Sequence, residues 1–136
     1  MTKPLVIVFL KAPRLGAVKT RLARGIGPLA AWRFYRKTVA NLLRRVGGDP
    51  RWDTVIAVTP DRHASESTPL FQEFQCVAQG HGDLGRRMAR ALLTAGRRPV
   101  VLVGGDIPTL NAAHIARAIK ALGRADLTFG PAADGG

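Results

Sequence analysis

The chain is poor in acids, nearly devoid of cysteine and without a long apolar run, and each shortage removes a class of protein. Nine Asp and Glu stand against 21 Lys and Arg in 136 residues, a formal net charge of +12 that a balanced solvated surface would not produce. Cys76 is the only cysteine, which excludes an intramolecular disulfide and a cysteine-based zinc cluster and leaves the thiol as a small buried apolar residue. No apolar run approaches the roughly 18 residues that a bilayer span needs. Met1, Thr2 and Lys3 lead straight into the first strand without the apolar segment and cleavage site of a signal peptide. A cytoplasmic protein with no membrane partner is therefore expected. His63, His81 and His114 never stand at metal-ligand spacing, and no nucleophile elbow surrounds Ser65 or Ser67. A zinc site and a hydrolase triad are set aside, and His81, in the glycine-flanked turn GHGD, is the histidine placed to reach a substrate.

What remains is globular, with 46% apolar and 22% charged residues, and long enough for one good core. Its charge is uneven. Between Lys11 and Arg51 eleven cations accompany one acid, Asp49, whereas Trp52 to Gln75 holds Arg62 against four acids. Such a field steers phosphate-bearing ligands or nucleic acid toward the N-terminal half; an arginine-rich genome would also produce it.

Apolar runs alternate with amphipathic stretches. Leu5 to Leu10 reads as a strand buried on both faces. Leu29, Trp32, Tyr35, Val39, Leu42 and Val46, spaced by three and four, predict a helix whose opposite flank carries Arg33, Lys37 and Arg44 as a solvated face. Asp53 to Thr59 is the second strand, the end of Phe71 to Gln79 a short third, and Pro99 to Val103 the fourth. Leu84, Met88 and Leu92 predict a helix over about Asp83 to Ala95 with Asp83 as its N-cap. Asn111 caps a helix carrying Ile115, Ile119 and Leu122, and Leu127 to Gly130 is a fifth strand. Alternating β and α units with short connections predict an α/β domain over residues 1–136, Rossmann-like, with a mostly parallel sheet flanked by helices.

In such a sheet every loop at a strand's carboxyl end faces one edge. The first, KAPRLGAVKTRL from Lys11 to Leu22, carries Gly16 with Lys11, Arg14, Lys19 and Arg21, and Arg24 follows it. A glycine-containing loop of this charge suits phosphates. It is not a P-loop, because Val18 and Pro13 occupy the places of the two required glycines. Asp106 follows the fourth strand and Asp134 the fifth. Two carboxylates facing a cationic loop suit a nucleotide whose phosphates are neutralised by Mg²⁺. Asp106 also has the simpler reading of a turn residue after two glycines.

Four motifs in order, FLKAPRLGAVKTRLA, QGHGDLGRRM, VGGDIPTL and GPAADGG, span nearly the whole chain. With them the chain resembles the bacterial GT-A-like glycosyltransferases, also called selenodomain-associated transferases, of the nucleotide-diphospho-sugar transferase superfamily, which is related to molybdenum-cofactor and phospholactate guanylyltransferases. The resemblance implies a GT-A fold that binds a nucleotide or nucleotide-sugar donor, an unidentified small-molecule acceptor, and Mg²⁺ or Mn²⁺. It assigns Lys11, Gly16, Lys19 and Arg21 to the base and phosphates, and Gly82, Asp83, Leu84 and Gly85 to the donor pocket. Asp106 and Asp134 become metal ligands, with Lys19 and Asp106 catalytic. Relatives continue beyond the DGG, so a C-terminally truncated domain is expected, whose last strand lies at a sheet edge and invites a homo-oligomer.

The expected chemistry is glycosyl transfer from a nucleoside-diphosphate sugar. Nucleotidyl transfer, with release of pyrophosphate, is the alternative. A nucleic-acid-binding module is the third reading, opposed by the placement of Trp32 and Tyr35 on the helix's apolar stripe rather than among the cations.

Overall fold

The computed structural model describes residues 3–65, 68–105 and 110–122. Its first strand, β1 (Leu5–Lys11), is buried from Leu5 through Leu10 on both faces, as the unbroken apolar run requires. It is followed by α1 (Thr20–Ile26), α2 (Pro28–Leu42) and a π-helical turn, Leu43–Gly47, that carries α2 toward the next strand. Then come β2 (Asp53–Thr59), β3 (Gln75–Ala78), α3 (Leu84–Leu93), β4 (Val100–Gly104) and α4 (Ala112–Leu122).

The four strands run in the order β3-β2-β1-β4, and every pairing is parallel. Leu5 to Lys11 faces Asp53 to Thr59 in register, and Leu5 to Phe9 faces Val100 to Gly104. The expected Rossmann-like α/β sheet is thus present, and all four carboxyl ends meet at one edge.

Side chains alternate across the sheet and divide the core in two. Val6, Val8, Leu10, Ile56 and Val58 pack under Tyr35, Val39 and Leu42 of α2, with Val46 and with Ile115 of α4. On the other face Leu5, Ile7, Phe9 and Ala57 meet Met88 and Ala91 of α3 together with Ala95. At the amino edge Arg98 holds three segments together, donating to the Lys3 and Pro4 carbonyls and to Asp53 Oδ2 at 2.6 Å.

Several expectations are amended. The long helix expected from Leu29 to Val46 starts at Pro28 and loosens into the π-helical turn after Leu42. Leu29 is not on its buried stripe but largely exposed. Six residues separate it from Tyr35, about 240° round a helix that advances roughly 100° per residue. Leu84 is likewise exposed, because it opens α3 one turn before the helix reaches the sheet. Thr20–Ile26, whose first three residues fall in the loop expected from Lys11 to Leu22, is helical although none of its residues is buried. The fifth strand, Leu127 to Gly130, lies outside the described residues.

Candidate functional site

The loop leaving β1 is fixed at both ends by apolar anchors and in the middle by hydrogen bonds. Ala12 and Val18 are buried, and Ala12 N–H continues the ladder to the Thr59 carbonyl at 2.9 Å. Tyr35 Oη donates to the Lys11 carbonyl at 2.5 Å, and Trp32 Nε1 donates to the Pro13 carbonyl at 2.8 Å. These two aromatics satisfy carbonyls that a strand end would otherwise leave to water. That is a physical reason for their place on α2, and it removes them as stacking platforms.

Within the loop Gly16 takes φ +83°, a conformation that L side chains rarely adopt. Lys19, the N-cap of α1, is left-handed as well, with φ 51°. Its ammonium lies over the Phe34 ring, 5.9 Å from the centroid. Lys11 closes β1 with an exposed side chain, and Arg21 is exposed in the first turn of α1.

The second loop is drawn across the sheet by one buried glutamine. β3 is an edge strand, two places from β1, yet Gln79, just past its end, sends Nε2 to the Ala57 carbonyl of β2 at 2.9 Å and to the Leu10 carbonyl of β1 at 3.3 Å. Its Oε1 accepts from Arg87 at 2.5 Å. The turn that follows is closed by Arg90, which donates to the carbonyls of Gln79 and His81 at 3.2 and 2.9 Å. Gly80 has φ +88°, and a Cβ there would stand 1.9 Å from Arg90 Nη1, so the clamp requires glycine. Gly82, at φ +106°, completes the turn. Asp83 is the N-cap of α3 as expected: its Oδ1 accepts from Arg86 N–H at 2.8 Å. Leu84 and Gly85 form the first turn.

Three groups at this edge had no signal in the sequence analysis. His63 is buried at the end of the short 3₁₀ turn Asp61–His63, just beyond β2. Arg14 Nη1 sits 3.3 and 3.2 Å from its two ring nitrogens, which places the guanidinium against the imidazole. Asp61 Oδ1 accepts from Gly80 N–H at 3.0 Å and so joins the loop after β2 to the loop after β3. Arg87 is the third. For Asp61 and His63 the signal available was position, just past the end of β2, whereas Arg87 lies within α3 and had none. His81, preferred from sequence, is exposed and contributes its carbonyl to Arg90.

The outcome is a carboxyl edge rich in cations. Among the described residues the two carboxylates beside it, Asp61 and Asp83, each accept a backbone N–H. Arg87 and Arg90 are held by an amide and by carbonyls rather than by acids. The reversal of strand order falls between β1 and β4, where ligands of open α/β sheets bind. There Gly105 presses on Leu10, since a Cβ would come within 2.2 Å of Leu10 Cδ2. No group of three His, Cys, Asp or Glu that could hold a metal occurs among the described residues. Asp106 and Asp134, the expected metal ligands, lie outside them, as does Pro108. No helix of the described residues is long and apolar enough to cross a membrane.

Comparison with solved structures gives a match to a "putative nucleotide-diphospho-sugar transferase" from Desulfovibrio desulfuricans G20, with a TM-score of 0.84 and 31% identity. The match covers 99% of this chain and 61% of the Desulfovibrio protein, so this chain spans less than two thirds of that protein's length. The fold is thus that of a nucleotide-diphospho-sugar transferase. No curated protein matches the chain. Residues 42–136, from the end of α2 through the QGHGD turn and VGGD, match the family DUF2064, described as an uncharacterised protein conserved in bacteria, and the chain belongs to that family.

Proposed function

We propose that this chain is the nucleotide-binding part of a transferase that moves a glycosyl group from a nucleoside-diphosphate sugar to a small-molecule acceptor. The observation that carries this reading is the cationic carboxyl edge beside the strand-order reversal, where Arg87 and Arg90 have no acidic partner among the described residues and Asp61 and Asp83 are engaged by backbone N–H groups. A diphosphate supplies the negative charge that such an edge lacks. The 31% identity to the Desulfovibrio protein supports the same substrate class.

Lys11, Lys19 and Arg21, with Gly16 allowing close approach of the backbone, receive the diphosphate in this reading. The turn Gly82, Asp83, Leu84 and Gly85 borders the donor. As the acceptor oxygen bonds to the anomeric carbon, the bond from that carbon to the diphosphate oxygen breaks, and the cations stabilise the charge left on the departing diphosphate. The acceptor's proton passes to solvent. Mg²⁺ or Mn²⁺, held by Asp106 and Asp134, would add charge neutralisation to the same oxygens.

Titration with UDP-glucose, GDP-mannose, GTP, UTP and CTP, with and without Mg²⁺, tests the proposal. One class of ligand binds, and Lys19→Ala and Arg21→Ala each weaken it by about tenfold, the usual scale of a lost charge-assisted contact. A folded protein that binds none of the five removes the reading. Binding of a triphosphate with later release of pyrophosphate replaces glycosyl by nucleotidyl transfer.

A further inference from the structure

Lys19 stands where local preferences would not put a lysine. Among the described residues it is the one non-glycine with positive φ, at φ 51° and ψ 48°, a left-handed conformation that is unfavourable for L side chains. It is also the N-cap of α1 and makes no side-chain cap bond. An ammonium has no lone pair to accept a helix N–H, and a cation is disfavoured at that end of a helix. Local rules of this kind are broken mainly where a residue serves a site. The ammonium is nevertheless placed: Nζ lies over the Phe34 ring, 5.9 Å from the centroid, within the reach of a cation–π attraction. Phe34 is half exposed on α2, with 49% of its surface open to solvent. No acidic residue precedes Asp49, so the loop after β1, α1 and α2 offer this ammonium no carboxylate. Tyr35 and Trp32 hold the same loop by its Lys11 and Pro13 carbonyls. Helix α2 thus fixes the loop's backbone with two aromatics and one of its charged side chains with a third.

We propose that Phe34 is a positioning residue whose ring face holds the Lys19 ammonium ready for the donor's diphosphate. This rests on the reading above, in which Lys19 receives that diphosphate. An untethered lysine side chain spreads over many rotamers, and ordering it on binding costs affinity. A ring beneath the ammonium removes part of that cost in advance. The ring occupies one side of the ammonium and leaves N–H donors on the others for phosphate oxygens. A carboxylate in the same place would hold the lysine too, but it would compete with the diphosphate for the ammonium and repel it. A phenyl face restrains the cation without cancelling its charge. Phe34 acts through Lys19 and forms no bond to the donor.

The contact and its role are tested separately on the intact chain. Without ligand, the Cε proton resonance of Lys19, identified by its loss in Lys19→Met, is displaced upfield by the phenyl ring current. Phe34→Leu moves it to the position of the exposed Lys11 and Lys37, and Phe34→Tyr, which keeps the ring, does not. Titration with UDP and with GDP, in the presence of Mg²⁺, then measures the role. Whichever nucleotide wild type binds, Phe34→Leu weakens it about threefold, the scale of a cation–π contact at an exposed site. Phe34→Tyr binds as wild type, and in a Lys19→Met background Phe34→Leu has no further effect. Phe34 is half exposed, so thermal unfolding of both Phe34 variants should overlay wild type. Equal or tighter binding by Phe34→Leu overturns the proposal and leaves the donor reading intact. So does a threefold loss that persists in the Lys19→Met background, which would mark packing alone, and so does a Lys19 resonance that the ring does not shift. A folded wild type that shows the ring shift but binds neither nucleotide removes the donor reading, and the positioning role falls with it.

Discussion

The Tyr35 hydroxyl donates to the Lys11 carbonyl at 2.5 Å and so joins the second helix to the last residue of the first strand. Tyr35→Phe keeps the ring in the core and removes only the donor. It is expected to cost about 1 kcal/mol, read as a shift in the urea midpoint with unchanged slope. Trp32→Phe removes the neighbouring tether at Pro13, and the double variant should lose less than the sum of the two if the loop has already loosened.

Gln79 accounts for the position of the whole QGHGD turn. Gln79→Ala removes the bonds to two strand carbonyls and the acceptor of Arg87. A loss of about 3 kcal/mol is expected, larger than for Arg87→Ala, because the glutamine is buried and the arginine is partly solvated. Equal losses for the two variants would show that the Arg87 contact carries most of the effect.

Gly80→Ala should separate two costs. A Cβ at this position meets both a positive φ and the Arg90 guanidinium. About 2 kcal/mol is expected in the wild-type background. In an Arg90→Ala background the steric part disappears and about 1 kcal/mol of backbone strain remains. Chemical denaturation of the four proteins in this cycle measures both parts.

Partial burial pushes the Cys76 thiol above its ordinary range. Its reaction with a disulfide reagent should be slower than that of free cysteine at pH 8 and should rise only at more alkaline pH. The sign for stability follows from the raised value in the folded state. The unfolded chain releases this proton first, so the contribution of Cys76 is constant at neutral pH and turns against folding as pH rises through the alkaline range. Cys76→Ser should flatten that part of the stability profile.

The strands were legible because central parallel strands must be apolar on both faces, and Leu5 to Leu10 and Asp53 to Thr59 have no competing reading. The caps Asp83 and Asn111 were legible for a similarly local reason: each side chain accepts a backbone N–H three residues on. Thr20–Ile26 was not, because a helix without a buried residue leaves no periodicity to find. Leu29 and Leu84 misled because a leucine at helical spacing marks a stripe only where the helix lies against something. His63 and Arg14, 49 positions apart, meet only through the parallel pairing of β1 with β2, and no local pattern encodes that contact.

Strand β1 hydrogen-bonds to β2 on one side and to β4 on the other. During synthesis it leaves the ribosome before the other described strands, and its second neighbour begins only at Val100. Until then one complete edge of Leu5 to Phe9 has no partner, and the most apolar segment of the chain depends on β2 and α2 for cover. Of the four described strands, the first made is thus enclosed only when the fourth arrives, and Arg98, two residues before β4, reaches back to Lys3 and Pro4.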